Sequence, residues 1–267
     1  NLEWDIYPLA AGEDYWTFIN RIRKDWDVNF TIPGPVDFIH LTRKSYWNIY
    51  RDEKALSAFL KRTKLKVVQL GWLDFNNHNV QFGGFISRGE FKDMMLEVKA
   101  TADAVDPELS LLGSIEAPYS TLPRTLSKKL FEAHPLTKNT YAEFDQAQMK
   151  VLQDHPEEWA RWKDAAIWSA DGKAQYLYLP GGDRDGTFVP RFALTVYPAI
   201  GNGQHEYMMD QCRFIIEEVG LDGVYIDNLN CSQFSYDKWD GFSVNIDPAT
   251  GAITRRYTDC QVAGAGF

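Results

Sequence analysis

Short, nearly unbroken apolar runs recur along this chain, and long amphipathic stretches separate them. The runs are Leu65–Leu73 (LKVVQLGWL), Leu109–Ile115 (LSLLGSI), Phe192–Tyr197 (FALTVY) and Val224–Ile226. A strand that is apolar on both sides has both faces covered, as in a parallel sheet packed with helices. The alternation of strand and helix from residue 28 to 230 therefore predicts a parallel sheet built from βα units. About five units are countable, near residues 30, 67, 112, 195 and 225. A closed (β/α)8 barrel needs eight. The expected fold is α/β of the TIM-barrel type, or a partial barrel with a C-terminal β-hairpin, in one barrel-type catalytic domain over residues 1–267. Further domains or a second chain would complete it. The chain opens on Asn1 with no basic-then-apolar leader, so either a leader was removed or this is a piece of a longer protein. The strand count favours the second.

Local signals place the elements. Trp16, Ile19 and Ile22 follow helical spacing between Asp14 and Asp25. Val28–Ile32 reads as a short strand ended by Pro33-Gly34-Pro35, and Val36–Leu41 as a second apolar run. Ser45–Thr63 reads as one helix. Ser87, with Glu90 three residues on, reads as a capping box for a helix that Pro107 closes near Val105. Residues 122–168 read as a helix-rich excursion. Gln175–Leu179 and Thr187–Val189 read as a hairpin around GGDRDG. Gln204–Val219 is a helix with Gly220 just past its end. Phe242–Ile246 and Ile253–Tyr257 flank the turn Asp247-Pro248-Ala249-Thr250-Gly251 as a hairpin.

A net charge of -9 and a pI near 5.1 argue against nucleic acid or an anionic membrane as partner. No apolar run approaches the length of ~18 residues needed for membrane insertion. Cys212, Cys231 and Cys260 have no metal spacing. Gly181–Gly186 lacks the EF-hand pattern, Gly201-Asn202-Gly203 lacks a phosphate-loop Lys, and neither a serine triad nor HExxH is present. No metal and no organic cofactor is expected. Aromatic residues reach 14%. Core packing accounts for most of them, and the remainder suits stacking on the apolar faces of sugars.

In parallel barrels the functional side chains project from the C-terminal ends of strands. That rule selects Asn29, His40, Trp72, Asp74, Glu116, Tyr197, Asp227 and Asn228. Asp227 ends Val224–Ile226, where a carboxylate can act as nucleophile, base or charge stabiliser; the alternative is a loop-anchoring Asp. Glu116 ends LSLLGSI and Asp74 follows Trp72, and each competes to be the second carboxylate that glycoside cleavage requires. Glu116 can instead be a partner for a nearby arginine. Trp72 is equally a sugar platform or core. His40, Tyr119, Tyr197, Asn228 and Asn230 are candidate substrate contacts, with a hydrogen-bonded structural role as the alternative for His40 and Tyr197. A lyase or aldolase would need a strand-end Lys, and Lys66, Lys92, Lys99 and Lys128 sit elsewhere.

Gly220–Asn228 (GLDGVYIDN) resembles the G-[FLV]-D-G-[VF]-[YF]-[LI]-D strand of barrel glycoside hydrolases. These include endo-α-1,4-polygalactosaminidase-like proteins and the α-galactosidase-like clan. Trp239-Asp240-Gly241 and the DPATG turn resemble the stretch after that strand in large bacterial glycosidase-like proteins. The resemblance implies a carbohydrate substrate and Asp227 as nucleophile, with an acid/base residue that often lies on a later strand. The expected site of action is extracellular or periplasmic. The competing expectation is a non-catalytic glycan-binding or structural surface protein on a degenerate barrel.

Overall fold

The computed structural model describes residues 5–28, 34–38, 44–72, 88–137, 140–144, 146–182, 188–227 and 234–260. Helix α1 (Tyr15–Asp25) starts where the sequence predicts, because the Asp14 carboxylate accepts the Thr17 amide at 2.9 Å. The strand expected over Val28–Ile32 lies almost entirely outside the described residues. Strand β1 is Val36–Phe38. The helix expected over Ser45–Thr63 is two helices, α2 (Lys44–Tyr50) and α3 (Glu53–Thr63). Between them Asp52 is extended, and its carboxylate accepts the Ala55 amide at 2.7 Å. That cap restarts the helix and turns the chain. Strand β2 (Val67–Trp72), helix α4 (Arg88–Val105) and strand β3 (Ser110–Glu116) follow within two residues of their predicted limits.

After β3 the chain leaves the βα pattern. It forms β4 (Tyr119–Thr121), α5 (Arg124–Ala133), β5 (Thr140–Phe144), α6 (Gln146–Gln153), α7 (Pro156–Trp162), β6 (Ala174–Tyr178), β7 (Gly181–Gly182), β8 (Phe188–Val189) and β9 (Phe192–Thr195). Strands β4, β9, β6 and β5 make an antiparallel sheet in that order. Three expectations change here. FALTVY is an antiparallel strand and no βα unit. It is apolar throughout because β9 is central and fully buried, and burial on both faces carries no information about strand direction. The 174–178 strand pairs with β5 and β9, so the hairpin around GGDRDG is only β7 with β8. The excursion read as helix-rich also contains β5.

Helix α8 (Gly203–Arg213) runs on through wider π-type turns at Phe214–Val219, and Gly220 ends it in the left-handed region at φ 79°. Strand β10 (Gly223–Asp227) then returns to the first sheet. The tail forms β11 (Phe234–Ser235), the expected hairpin β12 (Val244–Ile246) with β13 (Ile253–Arg256), and β14 (Thr258–Asp259), which pairs with β11.

The first sheet is parallel with order β1-β2-β3-β10. Among the described residues it is four-stranded and open, one strand fewer than the five units counted in the sequence. The strands lie side by side in chain order, without a switch point. Val68, Leu70, Leu111 and Ile115 point to one face and are fully buried against Leu56, Phe91, Met95, Val98 and Ile215 of the helical layer, with Val224 and Ile226 packed on the same cluster. The other face carries Phe38, Gln69, Leu112, Ser114, Glu116, Tyr225 and Asp227, placed together by register. A separate core fills the antiparallel module, centred on Trp162, Phe144, Tyr176, Tyr178 and Phe192.

Candidate active site at the carboxyl edge of the parallel sheet

The register of β3 against β10 is pinned at both ends. At the start, the Asp222 carboxylate accepts the Leu111 amide at 2.8 Å, while the Asp222 amide donates to the Leu111 carbonyl at 3.0 Å. At the finish, the Ala117 amide donates to the Asp227 carbonyl at 3.2 Å. Between these clamps Ser114 faces Tyr225 and Glu116 faces Asp227. Parallel partners point to the same side of a sheet, and neighbouring strands lie about 4.8 Å apart. Two carboxylates thus leave adjacent strands at one level, at the carboxyl edge, on the face away from the helices. Both are partly exposed.

Alternation explains the rest of GVYID. Val224 and Ile226 turn toward the helices, and Tyr225 turns with Asp227. The Tyr225 hydroxyl donates to Asp227 Oδ1 at 3.3 Å. Phe38 meets the Tyr225 ring edge-on at 5.0 Å and an interplanar angle of 87°. Burial raises the Tyr225 pKa above its ordinary value. The Asp227 charge, the hydrogen bond to that carboxylate and the Glu116 charge add to the effect. The phenol therefore keeps its proton and remains a donor to Asp227. Deeper in the same face, the buried Gln69 amide donates to the buried Ser114 hydroxyl, while Gln69 Oε1 has no partner among the described residues.

Of the residues selected from the sequence, Glu116 and Asp227 come together. Trp72 ends β2, with its backbone opposite Ser114 across a bulge that Gly71 makes possible at φ 135°. The chain thus delivers Trp72 to the same edge. Asp74, His40, Asn228 and Asn230, as well as Asn29, lie outside the described residues. Tyr119 opens β4 opposite Thr195, where the chain departs for the antiparallel module. Tyr197 follows β9 and not a parallel strand, so the strand-end rule that selected it does not apply. Lys238 Nζ lies 3.5 Å from its hydroxyl, and burial, with Cys260, Asp237 and Asp164 nearby, pushes its pKa up to about 12. Tyr225, Gln69 and Ser114 were not selected. The period-two alternation of GVYID was the available signal for Tyr225. Nothing local marked Gln69 and Ser114, whose contact spans 45 residues.

Among the described residues no group of three or more His, Cys, Asp or Glu side chains is arranged to hold a metal ion. Among the same residues, no helix is long and apolar enough to cross a membrane. Comparison with protein-family models, with curated proteins and with solved structures finds no match. The chemistry open to this edge comes from its own groups. One carboxyl can donate a proton while its neighbour acts as a nucleophile, and a neutral phenol orients the nucleophile's oxygen.

Proposed function

We propose that the chain is a glycoside hydrolase acting on a poly- or oligosaccharide, with Asp227 as nucleophile and Glu116 as proton donor. The observation that carries this reading is the in-register pairing of the two residues at the carboxyl edge of adjacent parallel strands. Strand order that follows chain order, with helices packed on one face, supports a sheet of the (β/α)8 type. The residue-level resemblance of GLDGVYIDN to barrel glycoside hydrolases supports the same assignment.

Adjacent strands favour close carboxyls. Retaining glycosidases hold theirs about 5–5.5 Å apart and inverting enzymes about 6.5–9.5 Å, so neighbouring strands support retention. In the first step an Asp227 oxygen attacks the anomeric carbon. The bond to the leaving oxygen breaks, and that oxygen takes the Glu116 proton. In the second step the Glu116 carboxylate takes a proton from water, whose oxygen displaces Asp227. The Tyr225 hydroxyl holds one Asp227 oxygen throughout.

The test is reducing-end release from a panel that includes α-1,4-linked galactosaminides and α-galactosides. The wild type is expected to cleave at least one member. Asp227→Asn and Glu116→Gln are each expected to lose at least ~100-fold, within the usual contribution of an acid–base group. Binding without cleavage by the wild type overturns the catalytic reading in favour of a glycan-binding protein.

A further inference from the structure

A cleft of about 730 Å³ opens on the antiparallel module, lined in part by Gln146, Met149, Gln153, Trp168, Asp171 and Lys173. Its size falls in the range of ~300–1,000 Å³ typical of small-molecule sites. Trp168 is half-buried yet firmly held. Its amide donates to Ser235 Oγ at 3.0 Å, its carbonyl accepts the Tyr236 amide at 3.0 Å, and Trp159 meets its ring edge-on at 6.4 Å. Its indole N–H makes no hydrogen bond among the described residues. With the buried Met149 it gives the cleft an apolar surface.

The polar side chains around that surface are arranged for neutral hydroxyls. Gln146 and Gln153 stand at the two ends of α6, seven residues apart and on one side of the helix, a rise of about 10.5 Å. Both are exposed, and neither side-chain amide has a partner among the described residues. The Asp171 carboxylate accepts from Ser169 Oγ at 2.7 Å and pairs with Lys173 Nζ at 2.8 Å. Lys173 also reaches Glu143 at 3.9 Å. Lys173 is thus already neutralised, which disfavours phosphate, nucleic acid or any other anion. A second cleft of about 580 Å³, lined by Glu143, Lys173, Gln175 and Tyr176 among others, shares Lys173 with the first.

We propose that the first cleft is a non-catalytic binding site for a neutral oligosaccharide. Trp168 takes the apolar face of one sugar ring, and the amides of Gln146 and Gln153 bridge its hydroxyls and those of a neighbour. The site shares a ligand class with the proposed reaction but none of its residues.

The experiment is calorimetric titration of the full chain carrying Asp227→Asn, which leaves the probe uncleaved, with neutral hexasaccharides of glucose, galactose, xylose and mannose. At least one is expected to bind. Trp168→Ala and the exposed pair Gln146→Ala/Gln153→Ala are each expected to weaken that binding at least 10-fold. The glutamine pair preserves the test if Trp168→Ala does not fold. Absence of binding by every probe, binding unchanged in the glutamine pair, or binding of tetramethylammonium or a peptide in place of sugar overturns the proposal. Cleavage by the wild type without binding that depends on Gln146 and Gln153 overturns this inference alone. Such binding without cleavage overturns only the catalytic assignment.

Discussion

Glu116 and Asp227 are register partners across β3 and β10, the last residues of two adjacent parallel strands. The clamp between Asp222 and Leu111 at the other end of the pair sets that register. A slip of one residue would turn one carboxylate into the helical layer, so the pairing depends on the clamp as much as on the carboxylates themselves.

The first prediction separates the two roles. Asp227→Ala loses activity and, in the presence of azide, yields a glycosyl azide, because a small anion replaces the missing nucleophile. Glu116→Gln fails chiefly on substrates with poor leaving groups, because only they need the proton. Both residues are partly exposed, so thermal unfolding should shift little. The anomeric configuration of the azide product, inverted for Asp227→Ala and retained for Glu116→Ala, and a leaving-group series check the assignment, and the opposite pair of configurations would reverse it.

A second prediction concerns the polar pair beneath the carboxylates. Ser114→Ala removes the acceptor of the buried Gln69 amide and is expected to cost about 1–3 kcal/mol, the usual penalty for stranding a buried donor. Adding Gln69→Leu should recover part of that loss, because both polar groups are then gone. Urea unfolding of the two singles and the double measures it. Additive losses would mean that the two side chains do not depend on each other.

The third prediction tests how the two cores are joined. Gly203 begins α8 against the end of α7, and a Cβ there would lie 2.3 Å from the Arg161 carbonyl oxygen. Because the obstacle is backbone, Gly203→Ala is expected to destabilise by about 3 kcal/mol or more, at or beyond the top of the usual overpacking range. A change in unfolding free energy below ~1 kcal/mol would show that α7 and α8 move apart freely.

The fourth prediction is a pH dependence. Burial pushes the Cys260 thiol up to about 12 from its ordinary 9.0, with Asp237 and Asp259 adding to the effect. Above pH 9 the unfolded chain releases this proton and the folded chain keeps it. The thiol's contribution is therefore complete below pH 9 and falls as pH rises toward 12. Between pH 9 and 10 most tyrosines are still protonated, so Cys260→Ala should flatten the decline of Tm in that interval. An unchanged slope would place the alkaline sensitivity elsewhere.

Much of this molecule was legible locally. The Asp14 cap, the α4 and β3 limits, Gly220 at the helix end and the tail hairpin all follow from short-range chemistry that survives in the fold. The candidate site was half legible. The run before Asp227 and the run before Glu116 each announce a strand with a carboxylate at its end. Nothing local states that the two strands are neighbours, since Leu111 and the Asp222 that clamps it are 111 residues apart. FALTVY shows the same limit from the other side. Its apolar run is as strong as those of β2 and β3, yet it pairs antiparallel in a different sheet.

The sequence by itself determined most of the longer strands and helices, and which side chains share a strand face, because caps, turns and alternation act over a few residues. Tertiary structure alone decided which strands pair, in what direction and at what register. Strand pairing is a choice among equally apolar runs. It is settled by the helices that cover one face, by the Asp222 clamp and by the insertion that removes β9 from the parallel sheet. Glu116 opposite Asp227 is the outcome of that non-local choice.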